Sequence, residues 1–489
     1  MSSQIESLEP KALWQHFAAL NAVPRPSKKE ERVIAFMQDF GKRLNLETLT
    51  DEVGNVIIKK PATAGMEDRP TLVLQSHLDM VHQKNADTDF DFNTQGIQME
   101  VDGDWVRAKG TTLGADNGIG VATIMALLSS TDIAHPALEA LFTIDEETGM
   151  TGAMGLKGGL LDGTILLNLD TENDQELTIG CAGGIDVTAT GTYNSESIPF
   201  DFVGFKLSIT GLTGGHSGMD IHLGRGNANK LMNRLLYQAT DKFNVRVYSI
   251  DGGSLRNAIP RESFAEVAVP EEKAEAFEQF LQKQAEVLKA EYALTDANLE
   301  IKAEHIDLPS LAISQEFQNL LLRVVYACPN GIHRMSPAIE GLVQTSNNLA
   351  RVLVKDGEYS LQCLTRSSVD SEKLDLADAI KSTFELAGAN VTFKGAYPGW
   401  APAPDATIVK LMSGLYQELF QSAPHVNACH AGLECGILGT NYPDMEMISF
   451  GPNITGAHSP DEKVQISSVQ KFWGFLLETL QRLPKAAVA

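Results

Sequence analysis

The chain has 489 residues, more than a single hydrophobic core accommodates, so two or more domains are expected. A formal net charge of −24 argues against nucleic acid and anionic membrane as partners, because both need a basic face. Five cysteines at irregular spacings, without a CxxC pair, argue against a disulfide framework or a thiolate zinc site. The N-terminus MSSQIESLEPKALWQHF lacks a basic segment followed by an apolar one. No run of about 18 apolar residues occurs to span a membrane. A reduced, cytoplasmic protein is expected.

In chain order, LEPKALWQHFAALN has helical periodicity. PRPSKKEERVIAFMQDFGKRL follows, with Ser27 and Glu30 spaced as a capping box for a second helix. NVIIKK and TLVLQSHLD read as strands, and TLVLQ is the near-continuous apolar run of a strand covered on both faces. GIGVATIMALLSS reads as a helix, ALEALFTID as a buried strand and TILLNLD as another. Up to about residue 184 this alternation predicts an α/β unit with a mainly parallel central sheet flanked by helices.

Near Gly183 the texture changes. Strand VGFKLSITGL, helix GRGNANKLMNRLLYQA, strands VRVYSI and SFAEVAV, helix EEKAEAFEQFLQKQAEVLKAEY and strand LEIKAE give a β-α-β-β-α-β order. Residues 314–395 echo part of that order without a residue-level repeat. The proline-rich AYPGWAPAPD reads as a return linker, and TIVKLMSGLYQELF and MEMISFG as a helix and strand of the first domain. The resulting division is a discontinuous α/β domain of residues 1–184 and 399–489, with an α+β domain of residues 185–398 inserted.

Residues with chemistry gather at the ends of the apolar strands, where open α/β sheets place ligands. SHLD puts His77 and Asp79 after TLVLQ, a pairing suited to a metal-ligating imidazole and a carboxylate that orients it. GADNGIG sets Asp116 between glycines, where an ordinary helix cap would also explain it. TIDEETG places Asp145, Glu146 and Glu147 in a row, and like charges this close repel unless a cation intervenes. LLNLDTE ends in Asp170, and GAHSPDE carries His458 in a loop. Each signal alone is commonplace. Together they supply two histidines and several carboxylates with no cysteine, a donor set for zinc, with manganese or cobalt as substitutes. More donors are present than one catalytic zinc needs. A pair of metals about 3.5 Å apart, sharing a carboxylate and activating a bridging water, fits better.

PATAGMEDRPTLVLQSHLDMV, GTTLGADNGIG, CAGGIDV, GLTGGHSGMDIHLGRGNANKL, RNAIPRE, KGAYPGW, HAGLECG and TGAHSPDE resemble, in this order and over nearly the whole chain, the di-zinc aminoacylase and carboxypeptidase family of metallopeptidases. The resemblance implies that His77, Asp116 and Asp170 hold one zinc and Asp116, Glu147 and His458 the other, with Asp116 as bridge. It implies that Asp79 orients His77. Glu146 would act as general base, taking a proton from the metal-bridged water and giving it to the leaving amine. A cis peptide bond after the bridging aspartate, here Asp116–Asn117, is a further expectation. In the inserted lid domain, His216 would reach the oxyanion, while Asn257 and Arg366 would bind the substrate carboxylate or carbonyl, the arginine through its bidentate fork. The stretch His430–Gly436 would form a wall of the substrate pocket, with no role assigned to His430 or Glu434.

The implied activity is hydrolysis of Xaa-His dipeptides, including β-alanyl-histidine, with two Zn²⁺ per chain that Co²⁺ or Mn²⁺ can replace. An aminoacylase or tripeptidase of the same family is the alternative, and a non-catalytic binding protein on the same fold a further one. A serine hydrolase is disfavoured, since GHSGM lacks the last glycine of a nucleophile elbow. His16, His82, His135, His222, His305, His333 and His425 match no ligand position. The insert is long enough for two lid units, so His216 is expected to serve its own chain within a homodimer.

Overall fold

The computed structural model describes residues 2–485, which divide into two compact units. The first runs up to Gly180 and resumes over Trp400–Ala428 and from Leu433 onward. The second is Cys181–Gly399 with the short return Cys429–Gly432. That return is absent from the sequence-based division. It is held because the Ala182 N–H donates to both the Cys429 and Ala431 carbonyls at 3.0 Å, and the His430 ring meets Ser346 Oγ at 2.8 Å.

The first unit is built on an eight-stranded sheet in the order Glu47–Thr50, Val56–Lys60, Leu138–Thr143, Leu72–His77, Ile165–Asn168, Glu446–Ser449, Glu176–Cys181, His425–Cys429. The four central strands are mutually parallel, with Leu72 opposite both Leu138 and Ile165, and Ile165 opposite Glu446. LVLQSH, LEALFT and ILLN are buried at every residue, the pattern of strands covered on both faces. Each fully buried Val, Leu or Ile here contributes roughly 1.5–3 kcal/mol. Because the central strands run the same way, His77, Thr143 and Asn168 end at one edge of the sheet. The helix Ala115–Ser129 is buried along nearly its whole length, lying against Leu72–His77 and against the helix Lys11–Asn21. Leu13, Trp14, Phe17, Ile119, Ala122 and Ala126 share that core.

The expected capping box is not formed. The helix starts at Glu31, after Glu30 with φ −87° and ψ 0°. The Glu30 carboxylate accepts from the Lys28 N–H at 2.8 Å, and the Ser27 hydroxyl donates to Asp79 Oδ2 at 2.7 Å. A buried carboxylate competes better for a hydroxyl than a helix N–H does, because charge-assisted bonds are the stronger ones.

A second, smaller sheet went unread in the sequence. Met99–Asp102, Trp105–Ala108, Lys463–Gln465 and Ile454–Thr455 pair antiparallel, with Thr455 opposite Lys463. The intervening hairpin loop carries His458.

The second unit is built on a nine-stranded sheet, with two short two-stranded pairings beside it, Ser195–Ser197 with Leu311–Ile313 and Gly215–His216 with Ala258–Ile259. Its main path runs Glu300–Ile306, Phe202–Thr210, Ser263–Pro270, Arg246–Gly253, Val343–Lys355, Glu358–Ser367, Gly183–Thr192, Asn390–Tyr397, and Gly331–Met335 pairs beside Val343–Lys355. All pairings recorded in it are antiparallel. It contains two β-α-β-β-α-β repeats joined edge to edge, with Ile250 opposite Val354. The echo seen in the sequence is completed by Gly183–Thr192, which precedes the whole first repeat. One repeat is thus inserted after the first strand of the other. The helices Ala228–Phe243, Ala274–Glu291, Gln315–Ala327 and Asp370–Glu385 contribute Leu235, Phe277, Leu321 and Ile380 to a core shared with the sheet.

Candidate active site

In the first unit, the strand ends bring His77, Asp116 and Asp170 together, with one ligand atom from each within 4.8 Å of the others. Asp116, Glu147 and His458 form a second such group, and His77, Glu146 and Glu147 a third. Asp116 belongs to two of them. Its Oδ1 lies 3.2 Å from His77 Nε2, and its Oδ2 lies 3.2 Å from His458 Nε2. Asp170 Oδ1 is 3.5 Å from His77 Nε2, and Glu147 Oε2 is 3.1 Å from His458 Nε2. The Asp116–Asn117 peptide is cis, as the resemblance implied.

Asp79 explains how two adjacent glutamates face one centre. It is fully buried, and its Oδ1 lies 3.4 Å from His77 Nδ1. The same carboxylate accepts the Glu146 N–H at 3.0 Å and the Glu147 N–H at 3.3 Å. Past the strand end the alternation of a regular strand no longer applies, so a turn can aim both side chains alike. Asp145 has another task. At φ +55° it accepts from Lys28 Nζ at 2.5 Å, from Thr151 Oγ1 at 2.6 Å and from Thr148 Oγ1, which closes the turn. It also groups with Glu30 and Asp79, and the Lys28 ammonium is the cation there.

The converging carboxylates hold protons on their neighbours. His458 is pushed up to about 11 by its hydrogen bonds to Asp116 and Glu147. Burial is the largest influence on His77 and pushes it down, yet Asp170, Asp116 and Asp79 together raise it well above the ordinary value. Burial, reinforced by Asp170, Glu434 and Glu147, lifts Glu146 well above the usual carboxylate range. Asp170 Oδ1 and Glu147 Oε1 are buried without a hydrogen-bond partner. Two imidazoles and a surplus of converging carboxylate oxygens fit divalent cations, for which the imidazoles must be neutral.

Two residues support the cluster: Arg25, which escaped the sequence reading, and Glu434, to which the sequence assigned no role. Arg25 is buried, and its guanidinium donates to the carbonyls of Leu78, Asp79 and Gly114 at 3.0, 3.2 and 2.6 Å and to Asn21 Oδ1 at 3.0 Å. It thereby ties the His77 strand end to the Asp116 turn. Gly114 and Gly118 are glycine because a Cβ at either would lie 2.6 Å from Arg25 Nη2, and Gly114 also has φ +70°. Glu434 lies below the strand ends, accepting from Gln75 Nε2 and Thr143 Oγ1, each at 2.7 Å. Burial pushes it up to about 7. No local spacing signals either residue, since the partners are remote in sequence.

The inserted unit holds His216, Asn257 and Arg366. His216 sits in a two-residue strand opposite Ala258. Its Nδ1 accepts the Gly218 and Met219 N–H groups at 3.2 and 3.0 Å, so the neutral ring carries its proton on Nε2. Burial, then Arg366, keeps it below its usual value. Asn257 is exposed, its carbonyl accepting from the Ser217 N–H at 2.8 Å. The loop around it is held by Asn348 Nδ2 on the Arg256 and Ala258 carbonyls at 3.1 and 2.8 Å. Arg366 is buried, lies opposite Ser346 and donates to Tyr397 Oη at 2.8 Å. Its Nε lies 3.5 Å from Ser217 Oγ, and among the described residues no acid stands within ion-pair distance of it. His430 rests on Ser346 beside it, and burial pushes it down to about 3.

The family model for peptidase family M20/M25/M40 matches residues 73–482. The cytosol non-specific dipeptidase of Escherichia coli (strain K12) is 44% identical over 482 residues, covering 99% of each chain. The crystal structure of aminoacylhistidine dipeptidase from Vibrio alginolyticus superposes with a TM-score of 0.95 at 44% identity and covers 100% of both chains. Aminopeptidase PepT of Bacillus cereus, at 14% identity and a TM-score of 0.57 over 97% of this chain and 99% of its own, shares the fold. With a family match over most of its length and a relative at 44% identity end to end, the chain belongs to peptidase family M20/M25/M40 and is a metal-dependent hydrolase.

Proposed function

We propose that the chain is a cytoplasmic dipeptidase that holds two Zn²⁺, replaceable by Co²⁺ or Mn²⁺, and hydrolyses Xaa-His dipeptides, β-alanyl-histidine among them. The observation that carries the metal assignment is Asp116, whose two oxygens each face a different imidazole at 3.2 Å. His77, Asp116 and Asp170 would hold one ion and Asp116, Glu147 and His458 the other. When bound, such a pair polarises a carbonyl and makes water acidic enough to attack it.

The chain's own residues do the rest. Asp79 orients His77. Glu146, presented beside the ligands but with its backbone tied to Asp79, accepts the proton of the attacking water and delivers it to the leaving amine. His216, protonated on Nε2, donates a hydrogen bond to the developing oxyanion. Arg366 and Asn257 bind the substrate carboxylate or carbonyl, and His216 serves its own chain within a homodimer. The choice of Xaa-His substrates is supported by the name of the Vibrio alginolyticus relative, an aminoacylhistidine dipeptidase, whereas the Escherichia coli relative's name supports dipeptides in general. No helix among the described residues is long and apolar enough to cross a membrane, which agrees with the proposed compartment.

A panel of Xaa-His dipeptides, other dipeptides, tripeptides and acylated amino acids tests the reading. The highest kcat/KM is expected on Xaa-His. A preference for acylated amino acids or tripeptides would overturn it.

A further inference from the structure

The hairpin that bears His458 also bears Glu462, whose side chain is 2% exposed and points away from solvent. Its carboxylate accepts four consecutive backbone N–H groups: Leu113 at 2.7 Å and Gly114 at 2.9 Å on Oε2, Ala115 at 2.7 Å and Asp116 at 3.2 Å on Oε1. These are the unpaired donors of the turn that opens the helix Ala115–Ser129, where an anion is favoured. From the other side, Arg25 takes the Gly114 carbonyl at 2.6 Å. The turn is thus clamped between a buried anion on its N–H groups and a buried cation on its carbonyl. On its own side, the Glu462 N–H donates to the Ser459 carbonyl at 3.1 Å, closing the loop that begins at Gly456.

We propose that Glu462 is a positioning residue of the metal centre: by fastening the Leu113–Asp116 turn to the His458 hairpin, it fixes the separation of Asp116 and His458. This rests on the ligand assignment proposed above. Asp116 serves both positions, but its two partners in the first, His77 and Asp170, end or follow sheet strands outside this clamp, whereas the second also takes His458 from the clamped hairpin. Loss of Glu462 therefore acts mainly on the Asp116–Glu147–His458 position. Glu462→Gln is nearly isosteric, but its amide group turns two donors onto N–H groups that need acceptors. Glu462→Asp keeps both oxygens and the charge on a shorter stem.

Titration of the metal-free protein with Co²⁺, followed by visible absorption and calorimetry, tests the proposal, with circular dichroism to show that each variant folds. The wild type takes up two equivalents. Glu462→Gln is expected to bind one with near-normal affinity and the other about 10–100-fold more weakly, the range seen when outer hydrogen bonds of metal ligands are lost. Glu462→Asp falls between. Equal weakening of both equivalents, or none of either, overturns the proposal. A wild-type chain that takes up fewer than two equivalents overturns instead the ligand assignment beneath it.

Discussion

Glu146 and Glu147 are neighbours in the chain, yet their surroundings differ, as the proposed roles of base and ligand need. Glu147 faces His458 Nε2 at 3.1 Å with its second oxygen buried and unpaired, whereas Glu146 stands 4.0 Å from His77. Glu147→Ala should therefore lower the metal content of the purified protein by about one equivalent. Glu146→Gln should keep both ions and lose roughly 10²–10⁴-fold in kcat, the usual worth of a general acid–base group. Plasma emission analysis beside steady-state kinetics separates the two, and equal metal loss in both variants would refute the division of labour. His430 makes a pH prediction. Its ordinary value near 6.5 falls to about 3 because of burial, then Arg366, His216 and His222. Between those values the unfolded chain holds a proton that the folded chain does not, so this contribution is complete above pH 6.5 and lost as pH falls. The stability advantage of wild type over His430→Asn should shrink by about 2 kcal/mol between pH 7 and pH 5. Urea unfolding at the two pH values measures it, and an advantage that grows on acidification would contradict the assignment.

At the scale of elements, the turn–helix Leu113–Ser129 shows why parts of the site were legible and parts were not. GADNGIG announced a helix start with a special aspartate, and the apolar runs LVLQSH, LEALFT and ILLN announced parallel strands, because burial on two faces leaves a local signature. The reasons for the glycines did not show: Gly114 and Gly118 make room for Arg25, which comes from a segment far away in the chain. Ser27 misled for the same reason, since its spacing fits a helix cap while its hydroxyl goes to Asp79. Gly118→Ala sets two effects against each other. Alanine favours a helix by about 1 kcal/mol over glycine. The added Cβ would meet Arg25 Nη2 at 2.6 Å, and overpacking costs typically about 1–3 kcal/mol. Net destabilisation in urea melts is expected, and a gain in stability would show that Arg25 yields freely.

At the scale of the molecule, the inserted unit is a doubled fold whose second repeat opens before the first is laid down. The element order of the echo was readable, but its completion by Gly183–Thr192 was not, because strand pairing with Glu358–Ser367 is a long-range matter. A doubled unit supports the proposal that His216 serves its own chain. Mixing inactive His216→Ala and Glu146→Ala chains should then recover no activity, and substantial recovery would show donation between subunits. The central claim is that hydrolysis depends on a pair of ions held by His77, Asp116, Glu147, Asp170 and His458. Its most direct test is the rate of Xaa-His dipeptide hydrolysis by one preparation before chelation, after it and after metal return, with metal content measured at each stage. Two ions per chain are expected, with loss of activity on their removal and recovery with Zn²⁺, Mn²⁺ or Co²⁺. Full-rate hydrolysis by metal-free protein would contradict that claim.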